Sequence, residues 1–222
     1  DPPSQSRASP PGMWCLCPAT PPAEGSTAKG YVGARNGEIL RLVNNPNAFA
    51  VSMMDAPTSE PIACCCSCLF AACGLPACYY RKKALETFGN GVEDYACCQG
   101  YVPPCCGVDP TDCLRGQMCG LILEGLCCPV FGLSITRIFV MDTKALHPDP
   151  VDYQLIAWSN FCQLLSCVCD LAACFCEDLR DLAEVIDWIA DIFTLSVAGC
   201  MAAQIEHELK GSAGAATYSE AP

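Results

Sequence analysis

Twenty consecutive residues, Pro61 to Tyr80, carry no charge, and the run closes on Arg81-Lys82-Lys83. A bilayer span needs ~20 mostly apolar residues with basic residues on the cytoplasmic or equivalent side, so length and flank both fit a membrane-embedded segment. Gly74 and Pro76 interrupt the run, and five cysteines crowd between Cys64 and Cys73. A re-entrant or interfacial hairpin therefore stands beside a straight span. Further apolar stretches follow: Gly116 to Val140, broken by Glu124, Pro129 and Arg137; Tyr153 to Cys169; and Ile192 to Ile205. Each is marginal as a span by itself.

Composition agrees with this reading. The 222 residues are 52% hydrophobic and 16% charged, against roughly 25% charged in an average soluble domain, and the mean hydropathy is +0.28. These values exclude a disordered chain. Twelve Lys and Arg face 24 Asp and Glu, a net charge of −12, so no basic stripe is available to neutralise nucleic-acid phosphates. The acidity is uneven, with 10 basic and 13 acidic residues over 1–150 but 2 and 11 over 151–222. The C-terminal third reads as a solvated acidic face.

Periodicity supplies the architecture. Residues 1–60 form an extended Pro-rich arm, with Pro2, Pro3, Pro10, Pro11, Pro18, Pro21 and Pro22, followed by an irregular segment with a turn at Asn44-Asn45-Pro46-Asn47. Residues 61–210 form a Cys-rich helical domain, and 211–222 a flexible tail. In the last helix Ile186, Ile189, Phe193, Val197, Cys200 and Gln204 recur at spacings of three and four, while Glu184, Asp187 and Asp191 share another face. That pattern predicts an amphipathic helix from near Leu182 to just before Gly211. With the turn Glu177-Asp178-Leu179-Arg180-Asp181 before it, the two last helices are expected to form an antiparallel hairpin with an acidic tip. The fold class is all-α.

Cysteine is the other outlier, 22 residues that include adjacent pairs and clusters. Neighbouring cysteines seldom bridge each other, because a disulfide needs particular separations and directions. Cys97, Cys98, Cys105, Cys106, Cys113 and Cys119 lie among Pro103, Pro104, Gly107 and Pro110, a central loop without core-forming residues that calls for cross-linking. Disulfides in an oxidising compartment, a thiolate-bound zinc, and free thiols are all open; the set lacks the Cys-x-x-Cys form of a zinc ribbon, which puts disulfides first. The heptad sets Cys162, Cys169, Cys176 and Cys167, Cys174 read as helix-packing positions, and Cys78, beside the basic run, as an S-acylation candidate. Glu124 and Arg137 interrupt one apolar stretch and are expected either to pair, to line a polar cavity, or to reach water through a break at Pro129. The acidic residues from Asp170 to Asp191 lack calcium-loop spacing. His147 and His207 accompany no nucleophile motif, and no phosphate loop or zinc-protease motif is present, so the chain reads as non-enzymatic.

Four blocks carry a resemblance: Cys68-Leu69-Phe70-Ala71-Ala72-Cys73-Gly74-Leu75-Pro76-Ala77-Cys78-Tyr79-Tyr80-Arg81, Cys97-Cys98-Gln99-Gly100-Tyr101, Cys127-Cys128-Pro129, and Gln204-Ile205-Glu206-His207-Glu208-Leu209-Lys210. Together they resemble the cysteine-rich placenta-specific-eight family, which includes plant fruit-weight regulators and cadmium-resistance proteins. The run from Cys127 to Arg137, with Asp142 shortly after, looks like a divergent eukaryotic branch of it. The resemblance covers about Pro61 to Lys210 and implies a membrane-associated, helical, non-enzymatic protein linked to cell-size control or heavy-metal handling. Gly74 and Leu75 separate Cys73 from Pro76, which breaks the family's compact Cys-Pro-Cys signature, and no catalytic residue carries over.

The sequence thus points to an accessory or structural subunit of a membrane protein assembly, with other membrane-protein subunits and the bilayer as partners and no cofactor beyond a candidate zinc. A second reading is a heavy-metal (cadmium or zinc) handling or transport protein acting as a homo-oligomer. A thiol redox protein would need a reactive exposed cysteine that the sequence does not single out.

Overall fold

A computed structural model describes residues 17–18, 37–102 and 110–219, and its regular structure is helical, with one isolated bridge between Asn47 and Leu146. The helices are α1 (Gly37–Leu40), α2 (Ala56–Ser59), α3 (Pro61–Phe70), α4 (Leu75–Phe88), α5 (Met118–Cys127), α6 (Pro129–Thr143), α7 (Pro150–Ala173) and α8 (Arg180–Ser219), joined in places by short 3-10 turns. Proline sits in the first turn of α2, α3, α4, α6 and α7. Its missing N–H is one of those a helix start leaves unpaired anyway, so each proline marks where a helix begins. Asp149 completes the start of α7 by accepting from the Val151 and Asp152 amides.

The charge-free run is not a straight span. It folds into α3 and α4, bent by 116° at a break around Gly74. Gly74 holds φ +75, and a Cβ there would lie 2.1 Å from the Gly125 carbonyl oxygen. Only glycine tolerates both the left-handed backbone and the close approach of α5. The apolar stretch 116–140 likewise breaks at Pro129, into α5 and α6.

Helix α6 is the centre of the body, buried almost without interruption from Phe131 to Met141. Leu133, Ile135, Ile138 and Met141 meet Leu42, Met53, Ile156, Met201, Ile205 and Leu209 in one apolar core. Ile39, Leu42 and Met53 are part of that core, and Ala56 is buried in a smaller cluster with Cys64 and Ala203, so the segment before Pro61 is built into the same body. Of the Pro-rich arm only Cys17 and Pro18 are described: the Cys17 amide donates to Asn160 Oδ1 at 2.8 Å, and the Ser134 hydroxyl donates to the Pro18 carbonyl at 2.6 Å. The rest of that expected arm lies outside the described residues. Helix α8 runs past Gly211, the expected stop, to Ser219. A glycine inside a helix costs only about 1 kcal/mol against alanine, and Ala213, Ala215 and Ala216 follow as strong helix formers.

Helices α7 and the 180–212 part of α8 are each long and apolar enough to cross a membrane. They form the expected hairpin, capped by Glu177–Leu179. Small residues let the lower part of α8 approach the body: a Cβ on Gly199 would meet Cys68 Sγ at 2.1 Å.

Candidate functional site

Two buried cations organise the body, and neither has the partner the sequence suggests. Glu124 and Arg137 do not pair with each other. Arg137 projects from α6 to Asp152 on α7 at 2.7 Å, with both side chains almost wholly buried. Gln204 on α8 closes the triangle, accepting from Arg137 Nε at 2.7 Å and donating to Asp152 Oδ2 at 2.8 Å and to the Val51 carbonyl at 2.9 Å. The Met53 amide donates to the second Asp152 oxygen at 2.8 Å, and the Phe49 ring lies 4.6 Å under the guanidinium. A buried charge is tolerable when its attraction and hydrogen bonds replace lost hydration, and here four elements supply them.

Gln204 opens the motif Gln204-Ile205-Glu206-His207-Glu208-Leu209-Lys210, whose polar members reach several separate parts of the chain. Glu206 takes Lys83 of α4 at 2.6 Å, Lys210 takes Glu60 at 2.6 Å, and His207 lies 3.6 Å from the same Glu60. Glu208 pairs with Lys144 and accepts from the Ala50 amide. The Ile205 and Leu209 side chains, meanwhile, are wholly buried. This turn of α8 is therefore the clamp that ties the start of α3, α4, α6 and α7 together.

The second cation is Arg81. In sequence it belongs to a basic flank expected in water; in the structure it is 2% exposed. It reaches Glu124 of α5 at 2.9 Å, Thr136 Oγ1 at 2.9 Å and the Gly132 carbonyl at 3.2 Å, while its Nη1 is buried without a hydrogen-bond partner. Glu124 also accepts from the Tyr95 hydroxyl at 3.0 Å and the Cys98 amide at 2.9 Å. That last bond draws the Cys97-Cys98 pair onto the carboxylate. Cys98 and Gln99 hold φ 51 and 47, a left-handed turn secured by the Ala96 amide donating to Gln99 Oε1 at 2.8 Å. In an extended chain adjacent side chains diverge; this turn instead sets the two Sγ atoms 3.9 Å apart. Non-glycine residues held at positive φ mark places where the surrounding structure imposes a conformation. The thiol–thiol hydrogen bond, helped by the nearby Arg81, holds Cys97 below the ordinary thiol pKa. The same bond, with burial and the Glu124 charge, pushes Cys98 up.

Of the six cysteines expected to act together, the structure gathers Cys97 and Cys98, with Glu124 as the third group. Cys113 and Cys119 are exposed, the latter donating to Gln117 Oε1 at 3.3 Å, and are not part of the cluster. Cys105 and Cys106 lie outside the described residues. None of the 19 described cysteines is bonded to another, so nothing among the described residues supports the disulfide expectation. The loop is held instead by hydrogen bonds, among them Gly116 N to Tyr95 O at 2.8 Å. Cys78 is packed against α5, where a Cβ on Gly125 would lie 2.3 Å from its Sγ, a poor place for an acyl chain. Cys167, Cys174 and Cys176 are exposed where helix packing was expected.

The α7–α8 hairpin has the opposite polarity to the body. Between its helices lie Ser159 and Thr194, 3.0 Å apart; Gln163 donating to Thr194 at 3.0 Å and to Asp191 at 3.4 Å; and Ser166 donating to Asp187. Its outer surface carries Val151, Trp158, Phe161, Val168 and Leu171 on α7 and Leu182, Val185, Trp188, Ile189 and Ile192 on α8, all exposed. Comparison with family models, with curated proteins and with solved structures gives no match.

Proposed function

We propose that the chain is an integral membrane protein that inserts the α7–α8 hairpin into a bilayer and serves, without catalysis, as an accessory subunit packed against other membrane helices. The inverted polarity of the hairpin carries this reading. In water a helical pair buries its apolar faces and leaves polar groups outside. In lipid there is no hydrophobic gain from helix contact, so polar side chains act as interhelical glue and apolar ones face the acyl chains. The exposed apolar side chains of α7 run from Val151 to Leu171, about 30 Å at 1.5 Å per residue, close to the hydrocarbon thickness. Exposed Ile62, Leu69 and Phe70 on α3, and Ile122, Leu123 and Leu126 on α5, give the body apolar surface for neighbouring subunits or lipid as well. Lys82, Lys83, Lys144 and Lys210 belong to the body, whereas the tip holds Asp178 and Asp181 with a single Arg180. The excess of basic residues sets the body on the cytoplasmic or equivalent side. The resemblance to the placenta-specific-eight family supports the same class.

Carbonate extraction of native membranes followed by a blue-native gel tests the proposal. The chain is expected to stay in the pellet and, after mild detergent, to migrate in a stoichiometric complex much larger than itself. Release by carbonate as a folded, monodisperse species in plain buffer overturns it.

A further inference from the structure

The geometry points to a thiophilic divalent-cation site at Cys97, Cys98 and Glu124, of the zinc or cadmium class, with Arg81 as the outer-shell residue that orients the carboxylate. The two Sγ atoms and a Glu124 oxygen all lie within 4.8 Å of one another. A tetrahedral zinc ion with bonds of about 2.3 Å to sulfur separates two thiolates by about 3.8 Å; the Sγ atoms stand 3.9 Å apart. A disulfide would need them near 2.05 Å, so the turn is set for bridging by an ion and not by a bond.

The local chain is built to hold that arrangement. The left-handed conformations of Cys98 and Gln99 aim consecutive thiols to one side, and the Cys98 amide is tethered to the carboxylate that completes the set. Glu124 divides its oxygens: Oε1 faces Arg81 at 2.9 Å, and Oε2 is the one on the cysteine side. A carboxylate oriented by a guanidinium through one oxygen, with the other, which accepts from the Tyr95 hydroxyl and the Cys98 amide, turned to the thiols, follows the usual outer-shell pattern of metal sites. Charge balances too. With both thiols protonated Glu124 and Arg81 cancel, and when the two cysteines ionise to bind, a divalent cation offsets the two thiolate charges, so the half-buried cluster stays neutral on loading. Three protein ligands leave the fourth tetrahedral position to water or another thiol. Sulfur donors select zinc or cadmium over magnesium and calcium, which need oxygen ligands.

The site lies in the body and does not depend on hairpin insertion, so it stands or falls apart from the membrane reading. The experiment uses the full chain in detergent, kept reduced, and titrates zinc against a chromophoric chelator for wild type, the double variant Cys97→Ser/Cys98→Ser, and the control Cys113→Ser/Cys119→Ser. The expected result is that the first double variant loses one equivalent of the tightest zinc, together with the zinc-induced rise in Tm, while the control retains both. Should the double variant fail to fold, Cys97→Ser alone leaves the Cys98 tether intact and is expected to weaken zinc at least tenfold with the zinc-free Tm unchanged. Equal zinc stoichiometry and affinity in wild type and Cys97→Ser, equal loss in the control, or no zinc uptake by wild type each overturn the assignment.

Discussion

The body and the hairpin of this molecule solve opposite solvation problems with the same residue types. In the body, Arg137, Asp152 and Gln204 sit inside an apolar core, and every charge is met by another element. In the hairpin, Ser159, Gln163, Ser166 and Thr194 make their contacts between two helices while large apolar side chains face out, with Asp170, Glu184 and Asp191 exposed beside them. The body therefore carries its own solvent exclusion, whereas the hairpin leaves large apolar side chains exposed. Acidic and hydroxyl side chains serve as anchors in one region and as a seam in the other. On the proposed function, what differs is the medium each region meets.

The largest expected effect breaks the body's side of this contrast. Asp152→Ala leaves Arg137 buried with Gln204 Oε1, Met141 Sδ and the Phe49 ring as its remaining partners, none of them charged. Removing one member of a buried pair typically costs about 3–5 kcal/mol. Denaturant unfolding in detergent is expected to show a loss of that order, and a loss under about 1 kcal/mol contradicts a desolvated pair. Next comes a charge on the hairpin's outer face. Val168→Arg, where the native side chain is 63% exposed, is expected to leave the body's stability unchanged in detergent. It should oppose membrane integration by about 2.5–3.5 kcal/mol if the position lies near mid-bilayer. Normal carbonate resistance of this variant, together with Leu171→Arg, rules out lipid contact on that face.

A third, smaller effect tests the joint between the regions. Gly199→Leu drives a side chain into Cys68 Sγ and the Cys64 carbonyl, 2.1 and 2.9 Å from the Cβ position. Overpacking of this kind costs about 1–3 kcal/mol. A calorimetric scan is expected to show a lower Tm, and an unchanged Tm shows that α3 and α8 separate freely.

The hairpin was legible in the sequence because its signals are local: a long apolar stretch, a turn with acidic residues, and a period of three and four from Ile186 to Gln204. The break at Gly74 was legible for the same reason. The charge partners were not. Glu124 and Arg137 share one apolar stretch, which makes them look like a pair, but Pro129 starts a new helix between them and sends each toward a residue 43 and 15 positions away, respectively. Arg81 was hidden by its company, since Lys82 beside it is exposed and a basic triplet reads as a wet flank. The one signal for its burial is the spacing from Ala77 through Arg81 to Ala84 and Leu85, which puts the charge on the apolar face of α4. The cysteines misled by number: six in one loop suggested a single cross-linked centre, whereas the turn at Cys98 makes an adjacent pair converge on a carboxylate 26 residues on.

The smallest expected effect bears on which medium the hairpin meets, because a net gain in stability is open to it only in water. Thr194→Val is nearly isosteric and removes the hydroxyl that meets Ser159 at 3.0 Å and accepts from Gln163 at 3.0 Å. In water the new methyl would be withdrawn from solvent, worth about 0.8 kcal/mol. That gain offsets much of a net hydrogen-bond loss of about 0.5–1.5 kcal/mol. In lipid the methyl gains nothing by leaving acyl chains for a neighbouring helix, and the lost polar contact averages about 0.6 kcal/mol. A double-mutant cycle with Ser159→Ala, measured in bilayer-like micelles, is expected to give a small positive coupling and a lower stability for each single variant. A hairpin made more stable by Thr194→Val would be one that is shedding water, and the polarity of the two regions would then need another cause.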